Sequence, residues 1–473
     1  MELYINKKIS CKKTLEFLKA QFNKASTKVH AFQVYQGEEL MIRLSPPPYS
    51  NTYKRQVYSV SKSLAATAIG IAAELGILNV TDKLSDIFSD RLPDNPCEYL
   101  SELTVWHLLT MSAGHNECSM KDISLSDNGI KAFFEKEFIN KPGEKYLYDT
   151  GASYMLSAVL TNLTGLSMLD FLNIHLFRHM DIKNVTWPFC GGNINEGGIG
   201  LRVSADDIAK FGLLYLNKGM YNGKRLLSEK WIDEATKGYL DGDLSREPDW
   251  KSGYGYQIWR NEPGGYRADG AFGQYCIVVP EKNIVMVLLA ESENVEKELS
   301  LCFDYMDSLF ENPAEDISST ELETFLAGCY KPYKSNTLTI AEKKTYKLSD
   351  NLNRFTFAFT ENTGEEFVIT FSDGENLHTI TAGNGKWIEN RLKLRGFKPQ
   401  LYSLMDEERC EDSLFLASFK VEKSFTEIEL RYLDCPHTTI LKIIESNCQI
   451  TINLMGRTDT LPENNFTLCG TEI

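Results

Sequence analysis

Ser59-Val60-Ser61-Lys62 places a hydroxyl and an amine three positions apart. On a helix, such a pair shares one face. A serine hydroxyl needs an adjacent base to be nucleophilic near neutral pH. Burial disfavours a charged ammonium, so a lysine sealed beside the serine can lose its proton and act as that base. The start of a helix adds free N–H groups and a positive dipole end where an oxyanion would form. The spacing alone is weak, because a capping serine followed by a solvated lysine gives the same letters. The residues after Lys62 favour chemistry. SLAATAIGIAAELGIL is apolar on nearly every side, and a core helix has little reason to open on a lysine.

That helix is expected from Ser59 to Leu75, with Gly76 as its stop. Ahead of it, residues 28–45 read as two strands around Gln36-Gly37-Glu38. After it come helices at 104–113, 153–163 and 168–179. A further helix, ADDIAKFGLLYL, is opened by Ser204, with Asp207 as an acidic relative of the capping box. Strands return in GYGYQIWR, GGYRADG, FGQYCIVVP and NIVMVLLAES, and a last helix covers 295–310. This order predicts an α+β unit. Its antiparallel sheet forms from both ends of the segment, is flanked by helices and carries a helical insert. ENPAEDISSTELE reads as a linker, and beyond it short alternating runs recur about every ten residues, the pattern of an all-β barrel or sandwich. The expected division is 1–312, a linker at 313–323, and a β-rich domain at 324–473.

The 473 residues are 42% hydrophobic and carry a net charge of −15. The composition is that of a globular protein, and the acidic excess, spread over both halves, argues against nucleic acid as a partner. The N-terminal segment lacks the apolar run of a secretory signal. The longest nearly uncharged stretch, Leu64–Ala73, is too short to span a bilayer. The expectation is a cytoplasmic chain without a membrane partner. Eleven scattered cysteines without a CxxC pair fit reduced thiols. Neither HExxH nor GxSxG occurs, and no metal-ligand cluster or paired carboxylate motif is evident; no metal and no cofactor is expected. Gly197-Gly198-Ile199-Gly200 lacks the spacing of a phosphate loop. The oligomeric state is not legible.

Several segments together carry a family resemblance. YSVSKSLAATAIGIAAELGIL resembles the active-site helix of the serine β-lactamase and penicillin-recognising superfamily, in its class C β-lactamase-like branch of esterases, peptidases and amide hydrolases. TVWHLLTMSAG, KYLYDTGASYMLSAVLTNLTG, VSADDIAKFGLLYLNKGMYNGKRLLSEKWIDEAT, GYGYQIW and ADGAFGQYCIVVPEKNIVMVLL are similar to its following segments, in the same order, over about residues 30–310.

The resemblance implies that Ser59 is the acyl-accepting nucleophile and that Lys62 and Tyr148 handle its protons, with the base left open between them. Thr150 stands where the second motif usually offers an amide or a small hydroxyl. The third motif departs further. In place of Lys-Thr-Gly or His-x-Gly, the chain reads Ala268-Asp269-Gly270, followed by Ala271. This is similar to the 6-aminohexanoate-oligomer hydrolases and related esterases. It implies an oxyanion hole from the backbone N–H groups of Ser59 and Ala271, with Gly270 allowing close approach. The missing cation argues against penicillin-like substrates; Arg267 either replaces it or points to solvent. Thr150, Trp259, Asp269 and Gly270 are candidate substrate-binding residues, with Tyr254, Tyr256 and Trp259 alternating along one strand. His107 reads as structural, since it has no carboxylate partner in the pattern. The implied function is a serine hydrolase acting on a small ester, amide or short peptide. The alternatives are a D-amino-acid peptidase or peptidoglycan-fragment hydrolase, and a catalytically silent binding protein of the same fold.

Overall fold

The computed structural model describes residues 1–242, 248–310, 319–335, 342–351, 354–393, 413–456 and 465–473. Two compact units divide at Leu326 and Ala327.

The first unit is built on a seven-stranded antiparallel sheet. Its strands are β1 (Glu2–Ile5), β2 (Lys28–Gln36), β3 (Glu39–Ser45), β4 (Trp259–Arg260), β5 (Tyr266–Gly270), β6 (Gln274–Val279) and β7 (Ile284–Glu291). Their order in the sheet is β1-β3-β2-β7-β6-β5-β4. The two ends of the segment meet at β2 and β7, where Leu288 stands opposite Phe32. β7 is buried along its whole length, which explains its continuous run of Ile, Val, Met and Leu, and the middle of β2 is buried beside it. Helices cover both faces. On one, Phe17 of α1 (Cys11–Lys24) packs against Phe32 and stacks on Tyr305, which belongs to the C-terminal helix Val295–Ser308. The N-terminal strand β1 and helix α1 were not read from the sequence.

The other face carries α2 (Val60–Glu74) and α4 (Ala205–Leu216), and α3 (Thr150–Thr164) packs against α2. α2 is buried over nearly its whole length, and Gly70 lets the Trp231 indole lie against it, where a Cβ would come within 2.4 Å of the ring. α3 starts under an Asp149 cap and stops at Gly165, which takes the left-handed conformation. α4 opens with the full Ser204–Asp207 capping box. Two expected elements are shorter. The helix at 104–113 ends at Leu109, because Met111 turns to φ 56°. Of GYGYQIWR only Trp259–Arg260 is a strand, because Gln257 takes φ 58°.

The second unit is all-β, with ten strands among the described residues. The alternating runs read from the sequence account for eight of these; Ile388–Leu392 and Phe466–Glu472 were missed. Nine strands close into a barrel through a parallel bridge between Gly383 and Ser418, and Ile388–Leu392 pairs beside that seam. Its interior is apolar, with Phe371, Ile380, Phe419, Ile428 and Leu441 at its centre. Residues 311–318 of the expected linker lie outside the described residues, and Ser319–Gly328 is helical.

Among the described residues no single helix is long and apolar enough to cross a membrane.

Candidate active site

The site forms where the start of α2 meets the N-terminus of α3 and the end of β5. Ser59 occupies the N-cap position of α2, yet its side chain makes no capping bond. It is half-buried. The backbone before it is held in place. Val57 N–H donates to Leu201 O (3.1 Å), Leu201 N–H donates to Ser61 Oγ (3.2 Å), and Tyr58 is forced to φ 47°. A bulky residue in that conformation is uncommon and marks a constrained turn.

Lys62 lies one turn into α2 and is only 1% exposed. It is neither solvated nor matched by a carboxylate. Its Nζ reaches three oxygens: Ser59 Oγ at 3.0 Å, Thr150 Oγ1 at 3.1 Å and Gly198 O at 2.9 Å. Burial pushes the ammonium down to about 7, against the opposing pull of Cys118 and Asp149. A carbonyl oxygen can only accept. A neutral amine that gives one hydrogen to Gly198 O and one to Thr150 Oγ1 has its lone pair left for Ser59 Oγ. The geometry suits proton removal from that serine.

The Gly198 carbonyl was missed in the sequence. The glycine-rich stretch at 197–200 was weighed only as a phosphate loop, whereas it packs against α3. A Cβ on Gly197 would come within 2.3 Å of Ser153 O, and one on Gly198 within 2.7 Å of Thr150 Cγ2. The adjacent glycines were the available signal, because they permit close backbone approach.

Tyr148 stands half-buried, with its ring 4.8 Å from Lys62 Nζ. Trp259 stacks on it at 5.7 Å and 22°, and Tyr254 meets both rings edge-on. Tyr254 and Tyr256 are buried and do not alternate with Trp259 along a strand. The reason is Gln257, whose buried side chain accepts from Ser153 Oγ and donates to Leu108 O and Leu109 O. Those contacts hold the left-handed turn that breaks the strand.

Gly270 ends β5 directly against the start of α2. A Cβ there would come within 2.2 Å of Val57 O and 3.3 Å of Ser59 N. Among the described residues, neither Ser59 N–H nor Ala271 N–H donates to a protein acceptor. Arg267 is fully buried, not solvent-facing. Its Nε donates to Asp269 Oδ2 at 2.9 Å, and Nη1 donates to Asn261 Oδ1 and Arg260 O. Its guanidinium also lies over the Trp250 and Trp259 rings. Asp269 therefore holds a cation already within the protein. His107 caps its own short helix by accepting from Thr104 N–H (3.0 Å), and burial pushes its imidazole down to about 4. Among the described residues, no group of three or more His, Cys, Asp or Glu is placed to hold a metal ion.

Known proteins give the arrangement a context. The Beta-lactamase family model matches residues 31–309. A 6-aminohexanoate-dimer hydrolase of Paenarthrobacter ureafaciens is 22% identical over 287 residues, 55% of this chain and 72% of the relative. The octameric penicillin-binding protein homologue from Pyrococcus abyssi superposes with a TM-score of 0.52 at 14% identity, over 96% of this chain and 99% of that one. A D-stereospecific amidohydrolase from Streptomyces sp. superposes with a TM-score of 0.50 at 13% identity, over 64% of this chain and 98% of that one. At such identities the superpositions speak for the fold. The family match spans more than half of the chain and covers α2, α3 and every sheet strand from β3 to β7, so the chain belongs to the Beta-lactamase family and is a serine hydrolase of that fold.

Proposed function

We propose that the chain hydrolyses a small ester or amide through an acyl-enzyme on Ser59. The observation that carries this reading is the buried Lys62 amine, 3.0 Å from Ser59 Oγ and held by two further oxygens. Neutral Lys62 takes the serine proton as Oγ attacks the carbonyl carbon. The Ser59 and Ala271 N–H groups receive the oxyanion. Lys62 returns that proton to the leaving group by way of Tyr148, beside it; the neutral pair then takes a proton from the water that attacks the acyl carbonyl and gives it back to Ser59 Oγ. Arg267 is engaged by Asp269, so no free cation on β5 awaits a substrate carboxylate. This supports neutral acyl esters and amides over penicillin-like acids.

Fluorophosphonate labelling tests the reading. The expected result is one adduct on Ser59, absent in Ser59→Ala. No labelling, or equal labelling of the variant, overturns it. A panel of short acyl esters, D-amino-acid amides and linear amides of the 6-aminohexanoate type then identifies the substrate. Ligand binding without turnover, unchanged in Ser59→Ala, would identify a silent binding protein.

A further inference from the structure

Asp149 stands between Tyr148 and Thr150, and its side chain is turned into the protein. It is 2% exposed. Its Oδ2 lies 2.9 Å from His115 Nδ1, and the two side chains are 3% and 0% exposed. Oδ1 accepts from Ser119 N–H (2.9 Å) and Gly151 N–H (2.8 Å), and Ser119 Oγ lies within 3.0 Å of both carboxylate oxygens. Gly151 makes room for this, since a Cβ there would fall 1.9 Å from Ser119 Oγ. His115 is itself packed against the Phe133 and Phe138 rings. One carboxylate thus fastens the start of α3 to the 115–119 segment.

We propose that Asp149, anchored by His115 and Ser119, is a positioning residue for the reaction, fixing Tyr148 and Thr150 against Lys62. Three features support this. Asp149 is bonded covalently to both neighbours, so its anchoring fixes the backbone from which each projects. Those neighbours bring Thr150 Oγ1 to 3.1 Å from Lys62 Nζ and the Tyr148 ring to 4.8 Å. The donors around Asp149 favour its charged form, with His115 the largest of them, and that charge in turn favours protonated Lys62. The titratable groups facing Lys62 are Asp149, Cys118 and Tyr148, with His115 behind Asp149.

The inference rests on the acyl-enzyme reading above, so full-length wild type is first labelled with fluorophosphonate. Failure to label Ser59 overturns both. With labelling established, Asp149→Asn is compared with wild type for kcat, KM, the pH profile of kcat/KM, and Tm. The expected result is a fall of about 10–100-fold in kcat, with KM within about threefold. The acid limb of the profile is expected to move to lower pH by about half a unit or more. His115→Asn keeps the Asp149 charge and an amide donor, and is expected to lower kcat without moving the limb down. If Asp149→Asn does not fold, Ser119→Ala, which keeps the charge and removes one donor, is expected to lower kcat at unchanged limb position. Wild-type kcat and pH profile in a folded Asp149→Asn chain, or wild-type kcat in Ser119→Ala where that substitute is needed, overturns the proposal.

Discussion

A buried amine is a burden on the fold as well as a tool. Lys62 is charged in the unfolded chain up to about pH 10.4, but its folded-state value is pushed down to about 7. Between these limits the unfolded chain binds the extra proton, so this group's contribution to stability improves as pH rises. Below about 7 the full cost of the buried charge is present. Lys62→Met is therefore expected to abolish turnover. It should also raise stability by about 1–4 kcal/mol at pH 6, with a smaller gain at pH 9. Thermal melts at the two pH values check this; an equal effect at both would contradict the assignment. Ser59 and Lys62 were legible because one helix fixes their spacing. Tyr148 was legible only through resemblance to a family. Gly198 and the Asp149–His115 contact were not legible. The first acts through a backbone carbonyl 136 positions from Lys62, and the second joins residues 34 apart whose burial arises only in the packed structure.

Among the elements, the junction of β5 with α2 does most to shape the site. Gly270 is required there by distance, since its φ is not in the left-handed region; a methyl group would be pressed against Val57 O. Gly270→Ala must push the strand away from the helix start and pull the Ala271 N–H out of line. The expected outcome is a fall of about 10²–10³-fold in kcat, the loss seen when one oxyanion donor is removed, with KM little changed. Steady-state kinetics on the best ester of the panel measures it. α2 was readable from an apolar run closed by a glycine, and Glu366–Ser372 from strict alternation. GYGYQIWR misled because its alternation is interrupted by a turn at Gln257, which the distant Ser153 hydroxyl and the Leu108 carbonyl hold. Ile388–Leu392 was missed because IENRL offers no apolar alternation.

At the scale of the whole molecule, each unit has a core of its own, and every element of the candidate site lies within Met1–Leu326. A chain ending after Gly328 is expected to melt cooperatively and to keep fluorophosphonate labelling of Ser59. Calorimetry and mass spectrometry check this. A fragment that folds but loses labelling would give the barrel a part in the chemistry. The two-unit plan was legible from the change in texture beyond residue 311. The closing seam of the barrel was not, because a single bridge between Gly383 and Ser418 leaves no pattern in either strand. The pairing of β2 with β7 also has a consequence for how the protein is made. The two strands are separated by about 250 residues. At roughly 5–20 residues per second, a ribosome needs roughly 12–50 s to supply the second after releasing the first. For that interval the apolar hairpin of β2 and β3 has no β7 beside it, so nascent chains are expected to need shelter from aggregation until translation passes Glu291.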